Sequence, residues 1–293
     1  MDANRSPVEK PLALRLLSLS SPAKSGWGPC IAFVLLSAVL LLTLFSPWIA
    51  THDPLAMDPL MRLKPPSEDH LLGTDNFGRD LFSRMILGGR ISLFIGISTA
   101  IVALTFGVVI GLVAGFFRLA DALIMRAMDA LMAMPSILIA IALVALNGPS
   151  VGSVIAAITI PEVPRVVRLV RSVILTAREE PYVEAAIALG SPTGKILFQH
   201  LLPNTMAPMI VQGTYIVASA ILTEALLSFL GAGISTEVPT WGNIMAEGRQ
   251  YFRISPAIVL WPGFLLTICV LSINLIGDAA RDALDPRMKK REG

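Results

Sequence analysis

Stretches long enough to cross a bilayer and almost empty of charge constrain this chain more than any other feature. About 30 Å of hydrocarbon takes roughly 20 mostly apolar residues as a helix. Residues 29–50, 91–117 and 257–277 contain no charged residue. Residues 122–146 carry Arg126 and Asp129 only near their start, and residues 205–231 are interrupted by Glu224 alone. Pro135 is expected to kink the helix over 122–146, a defect that neighbouring helices can cover. A sixth stretch is weaker, because 151–160 is apolar but Pro161, Glu162, Pro164, Arg165 and Arg168 follow at once; taken alone it reads as an interfacial helix. Charged residues make up 15% of the chain, against about 25% in soluble domains. That is too few to cover a water-exposed surface, which argues against a soluble enzyme and excludes a disordered chain.

The distribution of cations decides the weak case. The arginines after residue 160 can snorkel to a headgroup layer if they lie at a cytoplasmic helix end. With six spans and the N-terminus inside, 16 of the 23 Lys and Arg residues fall on the cytoplasmic side and 7 outside, as the positive-inside rule requires. Dropping the fourth span would place the basic C-terminal tail outside. The expected fold is therefore an all-α integral membrane protein with six transmembrane helices. Residues 1–28 form a cytoplasmic tail, 29–50 an anchor and 51–90 an outer segment. Residues 91–278 form the core, with a cytoplasmic loop at 172–204, and 279–293 a cytoplasmic tail. The basic flank of Arg5, Lys10, Arg15 and Lys24 resembles that of a signal peptide, but the apolar stretch after it is too long, so it reads as an uncleaved anchor. The short turn at 147–150 predicts that the third and fourth helices are antiparallel neighbours.

Gly107, Gly111 and Gly115 recur every fourth residue, leaving one helix face bare for close approach of another backbone; ordinary packing within the chain accounts for such a face. Gly190-Ser-Pro-Thr-Gly194-Lys195-Ile196 fails as a phosphate loop, with three residues between the glycines instead of four and Ile196 where Ser or Thr must reach magnesium. Energy must then come from an ion gradient or a separate subunit. His52, His70 and His200 share no helix turn, and two of them lie across the membrane from the third, so they predict no metal site. Cys30 and Cys269 sit in apolar runs, which predicts no disulfide and no cysteine metal site. No nucleophile stands near a base, so no catalytic residue is assigned, and a formal net charge of +2 gives no reason to expect nucleic acid. Glu224, an acid inside a membrane helix, marks either a translocation path or a structural hydrogen bond.

The loop at 172–204 carries the most information. Glu184-Ala185-Ala186, then Gly190, then His200-Leu-Leu202-Pro203-Asn204 reads as two short helices broken at Gly190 and Pro192, with Pro203 and Asn204 leading into the fifth span. A hairpin tied at both ends to membrane helices can transmit force. This spacing resembles the EAA loop of the permeases of binding-protein-dependent ABC importers (the type I ABC importer permease fold). Glu184, Ala185, Ala186, Gly190, Leu202 and Pro203 match in register, and His200 stands where the general pattern has Ile. Four further stretches resemble the C-type permease of dipeptide and oligopeptide (peptide/nickel-type) importers. They are Leu-Gly-Thr-Asp-Asn-Phe-Gly-Arg-Asp at 72–80 with Ser83-Arg84 and Gly89-Arg90, Glu-Ala-Leu-Leu-Ser-Phe-Leu-Gly at 224–231, Pro-Thr-Trp-Gly-Asn at 239–243 with Ala-Glu-Gly at 246–248, and Asn-Leu-Ile-Gly-Asp at 274–278 with Arg-Asp-Ala-Leu-Asp-Pro at 281–286.

The resemblance implies a bacterial or archaeal inner-membrane subunit, paired with a homologous permease, two cytoplasmic ATPases and an external solute-binding protein. Its loop would dock on an ATPase, and ATP and magnesium would be used by the ATPases, with no cofactor on this chain. Peptides are the implied cargo, and nickel complexes or glutathione are the alternatives within the branch. An ion-coupled secondary transporter would need intramembrane carboxylates or broken helices at matching positions of two halves, and a membrane scaffold would leave the lever loop unexplained.

Overall fold

The computed structural model of the protein describes residues 27–284; the basic N-terminal segment and the tail from 285 lie outside the described residues. Those residues are helical apart from turns and an isolated bridge between Thr74 and Asp80. Helix α1 is Gly28–Leu44. Helix α2, Leu81–Phe116, is 36 residues long and begins ten residues before the apolar stretch expected from 91. Asp80 starts it by accepting the Ser83 backbone N–H, and Arg84 in the added turns is held by buried carboxylates.

The stretch 122–146 does not form one kinked helix. Helix α3, Arg118–Met132, and helix α4, Ser136–Asn147, meet at 87°. Pro135 takes extended backbone at their junction (φ −57°, ψ 124°), since its ring cannot continue the preceding turn. The prolines at 161 and 164 do not end a helix. Helix α5, Val151–Arg178, runs through both without interruption, because packing on its neighbours compensates for the missing N–H groups. Its N-terminus is capped by Ser150, and it packs back on α4 through Ala140, Val144, Val154 and Ala157.

Residues 172–178, expected within the loop, belong to α5. Helix α6, Pro181–Ala188, follows. Gly190 ends it at φ +77°, with Ser191 N–H to Ala186 C=O and Gly190 N–H to Ile187 C=O, a Schellman closure. At Pro203 and Asn204 the hairpin's second arm leads into the fifth long apolar stretch with no break between them. Helix α7, Leu202–Phe229, continues without a bend from residues 193–201, whose last turn and a half is π-helical. Helix α8, Trp241–Gly248, and helix α9, Ala257–Leu284, complete the chain. Among the described residues, three unbroken helices have the length and hydropathy to cross a bilayer alone, and the bent α3–α4 pair supplies up to one more span.

Helices α2 and α7 take part in three buried clusters: with α1, α8 and α9 around Trp241, with α5 and residues 183–201, and with α4 and α5. Helices α2 and α5 run parallel. A Cβ on Gly107, Gly111 or Gly115 would lie 2.4, 2.7 or 2.6 Å from the Cβ of Val166, Val170 or Ile174. The four-residue glycine face thus receives a four-residue ridge of β-branched side chains.

Candidate coupling segment and polar sites of the bundle

Helix α6 is held by two side chains. Val183 and Ala186 are buried, and Val183 joins Ile196 and Leu201 in the cluster that contains Val166, Val170 and Ile174 of α5. The rest of α6 faces away: Glu184 and Ala185 are exposed, as are Tyr182 and Ile187, while Leu189 is 86% and Phe198 65% exposed. Asn204 clamps the hairpin by donating to the Tyr182 hydroxyl and the His200 carbonyl. His200 and Leu202 are half-buried beside it, and Pro203 is exposed. Arg178 donates to the Phe116 carbonyl at the end of α2, so the base of the lever is tied to both parallel helices. No atom would crowd a Cβ at Gly190; glycine serves there for its left-handed backbone, which costs other residues roughly 1–2 kcal/mol.

The opposite end of the bundle is fastened by a four-residue ion cluster. Asp75 caps its own turn through the Phe77 and Arg79 N–H groups and binds the guanidiniums of Arg79 and Arg84. Glu247 of α8 accepts from Arg79 and Arg84 as well. Two carboxylates and two guanidiniums, neutral in sum when both carboxylates are ionised, join the segment before α2 to α8. Burial pushes the Glu247 carboxyl up to about 7, against the pull of Arg79. A folded-state value above that of the unfolded chain means that folding takes up a proton between about pH 4.5 and 7. The stability this group contributes is complete below that window and is lost as pH rises through it. Thermal unfolding of the solubilised protein should show Tm falling across the window, by the equivalent of about 2 kcal/mol after allowance for partial solvation. Glu247→Gln should flatten the fall; an unchanged slope would assign it to other groups.

Glu224 is fully buried. It accepts from Ser92 of α2 at 3.1 Å and Ser228 of α7 at 2.9 Å, and Ser92 in turn accepts the Trp241 N–H at 3.3 Å. Of the two roles left open for it, these contacts favour the structural one: it joins α2, α7 and the start of α8 inside the chain. The three histidines are not all apart. His52 and His70 stack at 4.6 Å, and the His70 Nδ1 lies 2.9 Å from Asp80. Ligand atoms of His52, His70 and Asp80 fall within 4.8 Å of one another, and the hydrogen bonds of Asp80 to His70 and Ser83 account for that grouping as a helix cap. Burial opposes ionisation of Asp80, but the Ser83 and His70 bonds outweigh it and hold the carboxyl below its ordinary value.

A further polar site went unassigned in the sequence, where Glu162 and Arg165 read only as weak points of a span. Arg165 donates to Glu162 at 2.7 Å and Ser219 of α7 to the same carboxylate at 3.3 Å. The pair opens on a cavity of about 310 Å³ between α5, α7 and α9 that also includes Gln212, Tyr215 and Asn274. The i, i+3 spacing was visible, but the partner helix that gives it meaning was not.

Comparison with known proteins places these features in a family. Residues 107–290 match the model of the binding-protein-dependent transport system inner membrane component. The "Probable peptide ABC transporter permease protein y4tQ" of Sinorhizobium fredii is 49% identical over 86% of each chain. The dipeptide transport system permease protein DppC of Alkalihalophilus pseudofirmus is 44% identical over 88% of this chain and 86% of its own. Among solved structures, one of the MetNI methionine ABC transporter facing inward aligns with a TM-score of 0.49 at 21% identity, covering 66% of this chain and 94% of that one. With the family model covering well over half of its length, the chain belongs to the inner membrane components of binding-protein-dependent transport systems, the permease subunits of bacterial ABC importers, in which separate subunits hydrolyse ATP.

Proposed function

We propose that this chain is one of two homologous permease halves of an ATP-driven peptide importer, and that α6 is the element through which an ATPase moves it. The carrying observation is the outward face of α6. Tyr182, Ile187 and Leu189 lie exposed on a helix anchored by Val183 and Ala186, and an apolar surface on so short a polar-flanked segment calls for a partner. Glu184, Ala185 and Gly190 would shape the docking surface, with His200, Leu202 and Pro203 holding the second, helical arm of the hairpin. Peptide as cargo rests on the relatives, whose names specify peptides or dipeptides. Six spans follow if α1, α2, the bent α3–α4 pair, α5, α7 and α9 each cross once. The cation distribution along the sequence supports a reading with α6 and both termini in the cytoplasm and the Asp75 cluster outside, where a binding protein would deliver cargo.

Two tests bear on this reading. Tagged and gently solubilised from its host, the chain should co-purify with one homologous permease and two ATPases. Vesicles containing that complex should take up labelled dialanine only with ATP and the binding protein. Recovery of the chain alone, moving solute on a proton or sodium gradient, would replace the importer with a secondary transporter. Gly190→Val and Glu184→Ala should leave the amount of protein in the membrane near wild type, since both sites face water, yet lower uptake roughly tenfold or more. Wild-type uptake by either well-expressed variant would remove that position from the coupling surface.

A further inference from the structure

The cavity holding Glu162 and Arg165 is the head of a longer groove. It shares Gln212 and Tyr215 with a second cavity of about 590 Å³ that continues past Pro208 and Arg281, and the second shares Asn204 with a third of about 460 Å³ beside Thr176 and Tyr182. The groove therefore descends between α5 and α7 from the Glu162 pair to the root of the α6 lever. Glu162 lies eleven residues from the start of α5, about 16 Å at 1.5 Å per residue, near the middle of the span. A carboxylate and a guanidinium at that depth are expensive unless they face water or a ligand.

The pair is built to exchange partners. The Glu162 side chain is 8% exposed, and both hydrogen bonds it accepts from described residues fall on Oε1, which leaves Oε2 free. The Arg165 side chain is 50% exposed and donates to described residues through Nη1 only; Nε and Nη2 remain for a bidentate acceptor. The groove is open along its length, so a second chain must wall it off before it can carry solute. Its other lining near the pair is uncharged: Gln212, Tyr215, Ser219 and Asn274 offer polar groups among the apolar Ile216, Ala218 and Leu222.

We propose that Glu162 and Arg165 form the membrane-depth binding site for the cargo, Glu162 taking the terminal ammonium of a peptide and Arg165 its terminal carboxylate. This rests on the importer reading and deepens it. A zwitterion inserted into the pair replaces one ion pair with two and adds no net charge to the membrane interior. It also reads only what all peptides share, leaving side chains to the rest of the groove, whose charged groups, Arg281 and Glu180, lie in the two lower cavities. The 310 Å³ head is within the size range of small-molecule sites.

The test uses the whole complex in vesicles with its binding protein. Glu162→Gln and Arg165→Gln should each lower ATP-driven uptake of dialanine roughly tenfold or more while the subunits assemble in normal ratio. In a background with Cys30 and Cys269 replaced, Ser219→Cys should react with a charged thiol reagent from the cytoplasmic side, and saturating dialanine should slow that reaction. An unchanged reaction rate at 219 under saturating dialanine would make the pair a structural strut. Wild-type uptake by both single variants, or an unreactive Cys at 219, would overturn the site. If instead the wild-type complex moves no peptide on ATP, it is the importer reading that falls.

Discussion

Gly111→Leu should remove the protein from the membrane. At the crossing of α2 and α5 even a methyl at this position would sit 2.7 Å from the Val170 Cβ and 3.0 Å from the Val167 carbonyl oxygen, and neither atom is the end of a flexible side chain. Overpacking of this kind costs typically 1–3 kcal/mol for a small addition. Leucine would instead drive the two helices apart along the ridge formed by Val166, Val170 and Ile174. That ridge lies in the cluster that also anchors Val183 and Ile196, so separation would undo the seat of the lever together with the core. Gly111→Ala should show the milder form of the same effect, with reduced yield. Combining Gly111→Ala with Val170→Gly should recover part of the loss, the coupling expected of residues in direct contact. Equal yields for Gly111→Leu and wild type, measured by quantitative blotting of washed membranes, would mean that α2 and α5 do not meet here.

The glycine face was legible in the sequence because its four-residue period is local; its partner was not. The apolar stretches located the long helices for the same reason, since hydropathy over twenty residues needs no knowledge of neighbours. Proline alone did not decide where the helices end. At Pro135 the chain turns through 87°, while Pro161 and Pro164 sit inside an unbroken helix. The ring chemistry is identical at the three sites, and what differs is the packing around them: α5 is held along its length by α2 and α7. The hairpin after α5 was recognisable from the spacing of Glu184, Gly190 and Pro203, yet its second arm proved continuous with α7. The Asp75, Arg79 and Arg84 side chains lie within ten residues of one another in the sequence, but the carboxylate that neutralises them, Glu247, is more than 160 residues away, and no local pattern announces it. Glu162 and Arg165 were masked differently. Their charges looked like the frayed end of a span, whereas the groove beside them needs α7 and α9 in place to exist.

Glu224→Leu should abolish assembly, while Glu224→Gln should not. The carboxylate is the shared acceptor of two buried hydroxyls, Ser92 on α2 and Ser228 on α7. Leucine has a similar volume and fills the site, but it leaves both hydroxyls without that acceptor, at about 1–3 kcal/mol for each buried group left unsatisfied. The damage would extend to α8, because Ser92 also receives the Trp241 backbone N–H, and Trp241 is the largest fully buried side chain among the described residues. Glutamine keeps one acceptor oxygen and offers N–H groups to a serine that can rotate its own proton away, so the three helices stay joined. The two variants together separate a strut from a path residue. If Glu224 lined the path, glutamine would leave the complex intact and stop uptake, since the lost charge would be what the cargo meets. With Glu224 enclosed between α2, α7 and α8 and the open groove running beside Glu162, the expected result is a Gln variant that assembles and transports and a Leu variant that does neither.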